Sequence, residues 1–269
     1  MSKTILITGA SDGIGLDTAK VLLAEGHTVL LHGRSQAKLD AIATDLAQYK
    51  NQAHYYLADL SNFVDVSKLA ITVSNDHKQL DVLINNAGIL KTPNTITQYG
   101  IDVRFVVNTL APYHLTQLLL PKLAHDGRII NLSSAAQAPV DLQAMASGTP
   151  MSDMEAYAQS KLAITMWTKT LAAQLANASD QSVVAVNPGS LLGTKMVKEG
   201  FGTSGKDIGI GSSILRRAAL DKDFGKAASG QYFDNDSQRF ASPHPDALSA
   251  STTRTTVEAV ETLVKSLAG

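Results

Sequence analysis

Short apolar runs alternate with longer stretches of helical period along most of this 269-residue chain, and that alternation constrains the fold more than any other feature. "KTILIT" (3–8) is followed by a helical stretch (13–26) and then "HTVLLHG" (27–33). The order continues with a helix near 36–49, a strand at 53–57, a helix near 62–77 and the strand "DVLIN" (81–85). Helical segments near 97–124, the strand "GRIINL" (127–132), a helix near 153–178 and the strand "SVVAVN" (182–187) extend it. Strands that are apolar at consecutive positions are buried on both faces, as in a parallel sheet covered by crossover helices. The expected fold class is α/β: one doubly wound parallel sheet with helices on both faces, a single domain over 1–269. Ligands of such sheets bind beyond the carboxyl ends of the strands.

Two segments depart from the pattern. Residues 135–153 make a long connection, and 189–229 holds Gly193, Gly200, Gly202, Gly205, Gly209 and Gly211 before a short helical piece at 212–220. Long connections in compact domains usually serve a function, so both are expected to face the substrate. Met145, Met151 and Met154, in or beside the first segment, read equally as an adaptable pocket lining or as core. "GQYFDN" (230–235) reads as a last strand, "SPHP" (242–245) as a rigid turn and 251–267 as a closing amphipathic helix.

Composition removes several function classes. A formal charge of -1 gives no footprint for a nucleic-acid backbone or an anionic membrane, so no nucleic-acid partner is expected. The chain has no cysteine, which excludes disulfides and thiolate chemistry. Its seven histidines are scattered without HExxH spacing, so no metal is expected. No apolar run is long enough to span a membrane, and the first strand begins at once, so the expectation is a cytoplasmic protein without a leader.

The strand ends carry the chemistry. "ITGASDGIG" sets Gly9, Gly13 and Gly15 between the first strand and the first helix, spaced G-x-x-x-G-x-G rather than G-x-G-x-x-G. Backbone N–H groups along Ser11, Asp12 and Ile14, with the helix dipole, can hold a pyrophosphate there, and a β-carbon would block its approach. The second strand ends in His32, Gly33 and Arg34, where a site for NAD usually places an acid against the ribose 2′-hydroxyl. Arg34 suits a 2′-phosphate instead, so NADP(H) is favoured and NAD(H) stays open. A solvated surface arginine is the plainer reading, and the charge of Asp12 would partly oppose a phosphate. Tyr157 and Lys161 stand i and i+4 on one helix and share a face. A free tyrosine titrates near about 10, and a neighbouring ammonium favours its ionised form.

These pieces, taken in order, resemble the short-chain dehydrogenase/reductase family. The matching stretches are "TGASDGIG" (8–15), "ADL" (58–60), "NNAG" (85–88), Asn108 within "VVNTLAPYHLTQLLLP", "IINLSS" (129–134), "YAQSK" (157–161) and "NPG" (187–189). The resemblance covers residues 3–190 and implies a Rossmann-type sheet that carries hydride transfer between a nicotinamide and a carbonyl or alcohol carbon of a small-molecule substrate. It implies Tyr157 as acid/base, Lys161 also bonded to the nicotinamide ribose, Ser134 on the substrate oxygen and Asn108 in a water-linked proton relay. Ser133 rivals Ser134, since only one of two adjacent residues in an extended chain points into the site, and Asn108 could instead be a helix-starting cap. For the cofactor it implies Asp59 with Leu60 at the adenine, Asn86, Ala87 and Gly88 as wall, and Pro188 and Gly189 beyond. Asp59 could instead cap the next helix. Thr194 stands one place later than the family's usual threonine, with Ser190 as the alternative.

"AYAQSKLA", the long segment before it and "SGQYF" resemble the retinol-dehydrogenase-like branch, which includes protochlorophyllide reductases, and imply an apolar substrate. A helical tail stands where many members end in a glycine-rich strand, so monomer, dimer and tetramer stay open. A non-catalytic NADP(H)-sensing protein on the same fold is the alternative, although none of the catalytic groups is missing. An epimerase needs a larger substrate domain than the chain after 189 provides.

Overall fold

The structure is a computed structural model that describes residues 1–269. In chain order, β1 (Thr4–Ile7), α1 (Gly13–Ala24), β2 (Thr28–Gly33), α2 (Gln36–Asp45), β3 (Ala53–Leu57), α3 (Phe63–Asp76) and β4 (Leu80–Asn85) form the first half. A helical run follows, made of α4 (Val103–Phe105), a π-helical stretch (Val106–Leu110) and α5 (Ala111–Leu119), and leads to β5 (Leu123–Leu132). Beyond it lie α6 (Leu142–Ser147), α7 (Asp153–Leu175), β6 (Ser182–Asn187), α8 (Lys195–Phe201) and α9 (Gly209–Leu220). The chain closes with β7 (Tyr232–Asp234), β8 (Arg239–Ala241) and α10 (Ala250–Ala268).

The strands make one sheet in the order β3-β2-β1-β4-β5-β6-β7-β8, parallel from β3 to β7, with β8 antiparallel at the edge. The chain walks outward from β1 to β3 and then returns to the far side of β1 with β4. The switch point between β1 and β4 is therefore where the sheet opens a crevice. Central strands are apolar throughout because both faces are covered. One core packs α3, α5, α7 and α10 on one face, and the other packs α1 and α9 on the opposite face. Helices start where an acceptor side chain stands: Asp12, Ser35, Asn62, Asp102, Asp141, Ser152, Thr194 and Ser249 each accept a first-turn N–H. No helix is long and apolar enough to cross a membrane.

Several sequence expectations change here. The helix expected near 97–124 is confined to 103–119, with the π stretch in its middle. The antiparallel β8 has no counterpart in the expected all-parallel sheet; at three residues it is too short to show a period. Segment 135–153 contains the short helix α6. Within 189–229, α9 packs on α1 and buries Ile214, Leu215, Ala218 and Ala219. That half of the segment is core, and only the part up to about 208 is left to cover the crevice. Met145 is fully buried in the core, Met151 packs against it and Met154 is exposed.

Candidate active site

The glycine loop after β1 sits against the loop after β4. Gly9 has φ +67, and a Cβ there would lie 2.8 Å from the Ala87 Cα, so only glycine permits this approach. Asn86 ties the two loops together: its Nδ2 donates to the carbonyls of Thr8 (2.8 Å) and Gly9 (3.1 Å). Gly15 lies beneath, its Cα turned to the Asn86 side chain. Within the chain the N–H groups of Ser11 and Asp12 have no partner. They border an open cleft of about 470 Å³ that runs from Arg34, Asp59 and Leu60 past Gly13 and Ile14 to Gly88, Tyr157 and Pro188. Small residues where backbones must approach, unpaired N–H groups at a helix start and cations at one end suit a phosphorylated dinucleotide.

At the outer end, Arg34 is exposed at the cleft mouth. Asp12 does not stand there as a bare charge. Lys38, in the first turn of α2, places its Nζ 2.8 Å from the Asp12 Oδ2, and that bond holds the Asp12 carboxyl below its usual range. Lys38 is not among the residues the sequence singles out, because its partner Asp12 is 26 residues away on another loop. Asp59 accepts from the N–H (2.9 Å) and hydroxyl (2.8 Å) of Ser61, while Asn62 caps α3. The helix-cap reading of Asp59 is thereby excluded.

At the inner end, α7 brings Tyr157 and Lys161 to the cleft. The Lys161 Nζ donates 2.7 Å to the Leu132 carbonyl and lies 5.5 Å from the Tyr157 ring centre. Burial lowers the Lys161 ammonium to about 8. Burial raises the Tyr157 phenol, and the nearby Ser134 hydroxyl works in the opposite direction. Desolvation is the largest influence on the Tyr157 phenol.

Ser134 and Ser133 part company at the end of β5. Ser134 lies beside Tyr157 and its Oγ accepts from the Ala136 N–H at 3.1 Å, whereas the Ser133 Oγ is buried against α7, 3.1 Å from the Lys161 carbonyl and 2.7 Å from the Thr165 hydroxyl. The Ser134 carbonyl is held from behind by the Tyr232 hydroxyl (3.1 Å) and Gln137 Nε2 (2.9 Å). No local sequence signal connects Tyr232, 98 residues away, to this point. Asn108 is fully buried in the π stretch. Its Oδ1 accepts from the Ile89 N–H (2.8 Å), and its Nδ2 donates to the Ile89 carbonyl and to the Ser160 Oγ (both 2.9 Å). Asp102, not Asn108, caps the helix start. Both amide hydrogens of Asn108 are thus committed to joining the Ile89 loop to α7.

The remaining expected residues lie on the cover. Thr194 caps α8 and places its methyl 3.7 Å from where a Gly13 Cβ would be, so the start of α8 closes over the glycine loop. Ser190, the alternative, turns away and bonds Asp236 through its N–H (2.9 Å) and its hydroxyl. Gly189 sits behind Pro188, its N–H donating to the Asn187 Oδ1 at 3.2 Å.

The sheet switches at β1/β4, the glycine loop lies at the switch point, and Ser134, Tyr157 and Lys161 are grouped at the neighbouring strand ends, so one cleft joins a dinucleotide-shaped end to a cluster of ionisable and hydroxyl side chains. The family model described as short chain dehydrogenase matches residues 3–203, and the chain belongs to that family. Retinol dehydrogenase 13 of Homo sapiens is 37% identical over 197 residues, 70% of this chain and 58% of that protein. Polyprenol dehydrogenase of Homo sapiens is 30% identical over 210 residues, 74% of this chain and 63% of that protein. The chain thus spans less than two thirds of the length of these relatives, which support the retinol-dehydrogenase-like branch. A crystal structure of a Mycobacterium paratuberculosis protein superposes with a TM-score of 0.81 at 28% identity, covering 98% of this chain and 93% of the other. A short chain dehydrogenase from Escherichia coli CFT073, complexed with NADPH, gives a TM-score of 0.70 at 27% identity, covering 87% and 96%.

Proposed function

We propose that this chain is an NADP(H)-dependent oxidoreductase acting on a carbonyl or alcohol of a small, apolar molecule, with Tyr157 as the proton-transferring group. The observation that carries the reading is the grouping of Tyr157 with the Lys161 ammonium, 5.5 Å from its ring centre, and with Ser134 beside it, at the inner end of a cleft shaped for a dinucleotide. When bound, the nicotinamide supplies or accepts the hydride. The chain's own part is to hold and move a proton. Tyr157 gives its phenolic proton to a forming alkoxide, or takes one from an alcohol, and Ser134 orients the same oxygen. Lys161 favours the ionised phenol and is replenished from solvent through the cleft. Asn108 keeps the Ile89 wall at a fixed distance from α7.

Arg34 and Lys38 support NADP(H) over NAD(H), as does the NADPH bound to the Escherichia coli relative. An apolar substrate is supported by the retinol and polyprenol dehydrogenase relatives and by Ile89, Leu90, Val107 and Met196 around the inner cleft. The part of the chain around α8, which lies against Leu90, is proposed as the substrate cover. The decisive experiment combines NADPH binding with turnover of an aldehyde and ketone panel by wild type and Tyr157→Phe. Loss of turnover by about 10³-fold with NADPH binding kept supports the mechanism. Full turnover by Tyr157→Phe sinks it, and NADPH binding with no turnover of any panel member by wild type favours the sensing protein.

A further inference from the structure

His32 stands at the end of β2 with a side chain that is almost wholly buried, yet it borders the dinucleotide cleft. Its Nδ1 accepts from the Gly9 N–H at 3.1 Å, and its Nε2 donates to the Ala58 carbonyl at 3.0 Å. A backbone N–H only donates and a carbonyl only accepts, so the two partners fix the tautomer with the proton on Nε2. The His32 carbonyl also accepts from the Ala10 N–H at 2.8 Å. One residue therefore ties the carboxyl ends of three neighbouring strands: β1 through Gly9 and Ala10, its own β2, and β3 through Ala58.

We infer that His32 is a positioning residue of the cofactor site, which takes the Gly9 N–H so that the next N–H groups of the glycine loop, those of Ser11 and Asp12, are presented to the dinucleotide. The inference rests on the NADP(H) reading and adds to it the residue that shapes the phosphate cradle. Gly9 cannot settle elsewhere: it is in the left-handed region and packed 2.8 Å, as a virtual Cβ, from Ala87. A bond pinning its N–H therefore sets the direction of the peptides that follow. On the other side, Ala58 immediately precedes Asp59 and Leu60, which line the outer cleft, so the same imidazole joins both walls. Burial lowers the imidazole to about 4, which keeps Nδ1 an acceptor at neutral pH.

Two polar replacements separate the two bonds. Asparagine offers an oxygen where Nδ1 stood and retains an acceptor for Gly9, whereas glutamine offers its amide N–H where Nε2 stood and retains a donor for Ala58. Each loses one buried hydrogen bond, so a purely structural histidine predicts equal effects. NADPH titrated into His32→Gln should bind about tenfold more weakly than to wild type, and into His32→Asn much less so, at similar melting temperatures. The loss should fall mainly on KM for NADPH and less on kcat at saturation. His32→Leu should be at least as weak as His32→Gln; if it does not fold, the polar pair still decides. Equal NADPH affinity in wild type, His32→Asn and His32→Gln overturns the inference, as does affinity that follows melting temperature rather than the bond retained. Failure of the wild type to bind NADPH is read in its own arm and overturns the functional reading beneath it.

Discussion

The Ser133 hydroxyl is buried against α7, 2.7 Å from the Thr165 hydroxyl, while its neighbour Ser134 faces the opposite way, beside the Tyr157 phenol. The extended end of β5 forces this division, because successive side chains point to opposite faces. Ser134→Ala is expected to lower kcat by about 10²-fold with NADPH binding retained, the scale of losing one donor to a developing oxyanion. Ser133→Ala should instead cost stability, about 1 kcal/mol, with a smaller change in kcat. Steady-state kinetics and urea unfolding on the two variants measure both, and a larger kcat loss for Ser133→Ala would reverse the assignment.

The pH profile of the free enzyme should report Lys161. Its ammonium is lowered to about 8 by burial, while the phenol of Tyr157 is pushed upward. Lys161 is therefore the first of the pair to lose a proton as pH rises. kcat/KM for carbonyl reduction should be level below about 8 and fall above it, because the charged form that favours phenolate is lost. An alkaline arm beginning only above pH 10, near about the free-lysine value, would show that Lys161 is not so desolvated in the working enzyme.

Cofactor preference should depend on Arg34 and Lys38 together. Arg34→Ala is expected to reduce the NADPH-over-NADPH-lacking-phosphate preference, read as the ratio of kcat/KM for NADPH to that for NADH, by roughly thirtyfold, the scale of about 2 kcal/mol of charge-assisted bonding. Lys38→Ala should also reduce the ratio, since it leaves the Asp12 carboxylate without its 2.8 Å partner. Added salt should shrink the wild-type ratio, as these groups are exposed. A wild-type preference for NADH would refute the pairing.

The buried Arg104 should be the costliest polar residue to remove. Its guanidinium is 1% exposed and pairs with Asp102, 2% exposed, and with Asp153 at the start of α7. Arg104→Met leaves the Asp102 charge buried and alone, a loss of about 3–5 kcal/mol. Asp153→Ala, whose side chain is 39% exposed, should cost only about 1 kcal/mol. Urea unfolding checks both, and near-equal losses would mean that Asp102 is relieved by water or protonation.

The sequence alone determined the doubly wound sheet, the glycine loop at its first turn and the residues from which the site is drawn. Those properties are local: apolar runs, helical periods, capping residues and i, i+4 spacing can each be read within a dozen residues. The tertiary structure decided which of them meet. Only the return of β4 beside β1 brings Ala87 against Gly9, and only the packing of β7 beside β6 puts the Tyr232 hydroxyl on the Ser134 carbonyl. The same holds for His32, which occupied the place of an expected acid and proved to be a buried bridge between strands. It also holds for α9, which lies in a segment expected to face the substrate but whose Ile214 and Leu215 are core. A side chain's neighbours across a sheet are set by strand order and register, which arise from the global burial of apolar surface and leave no mark in the spacing of nearby residues.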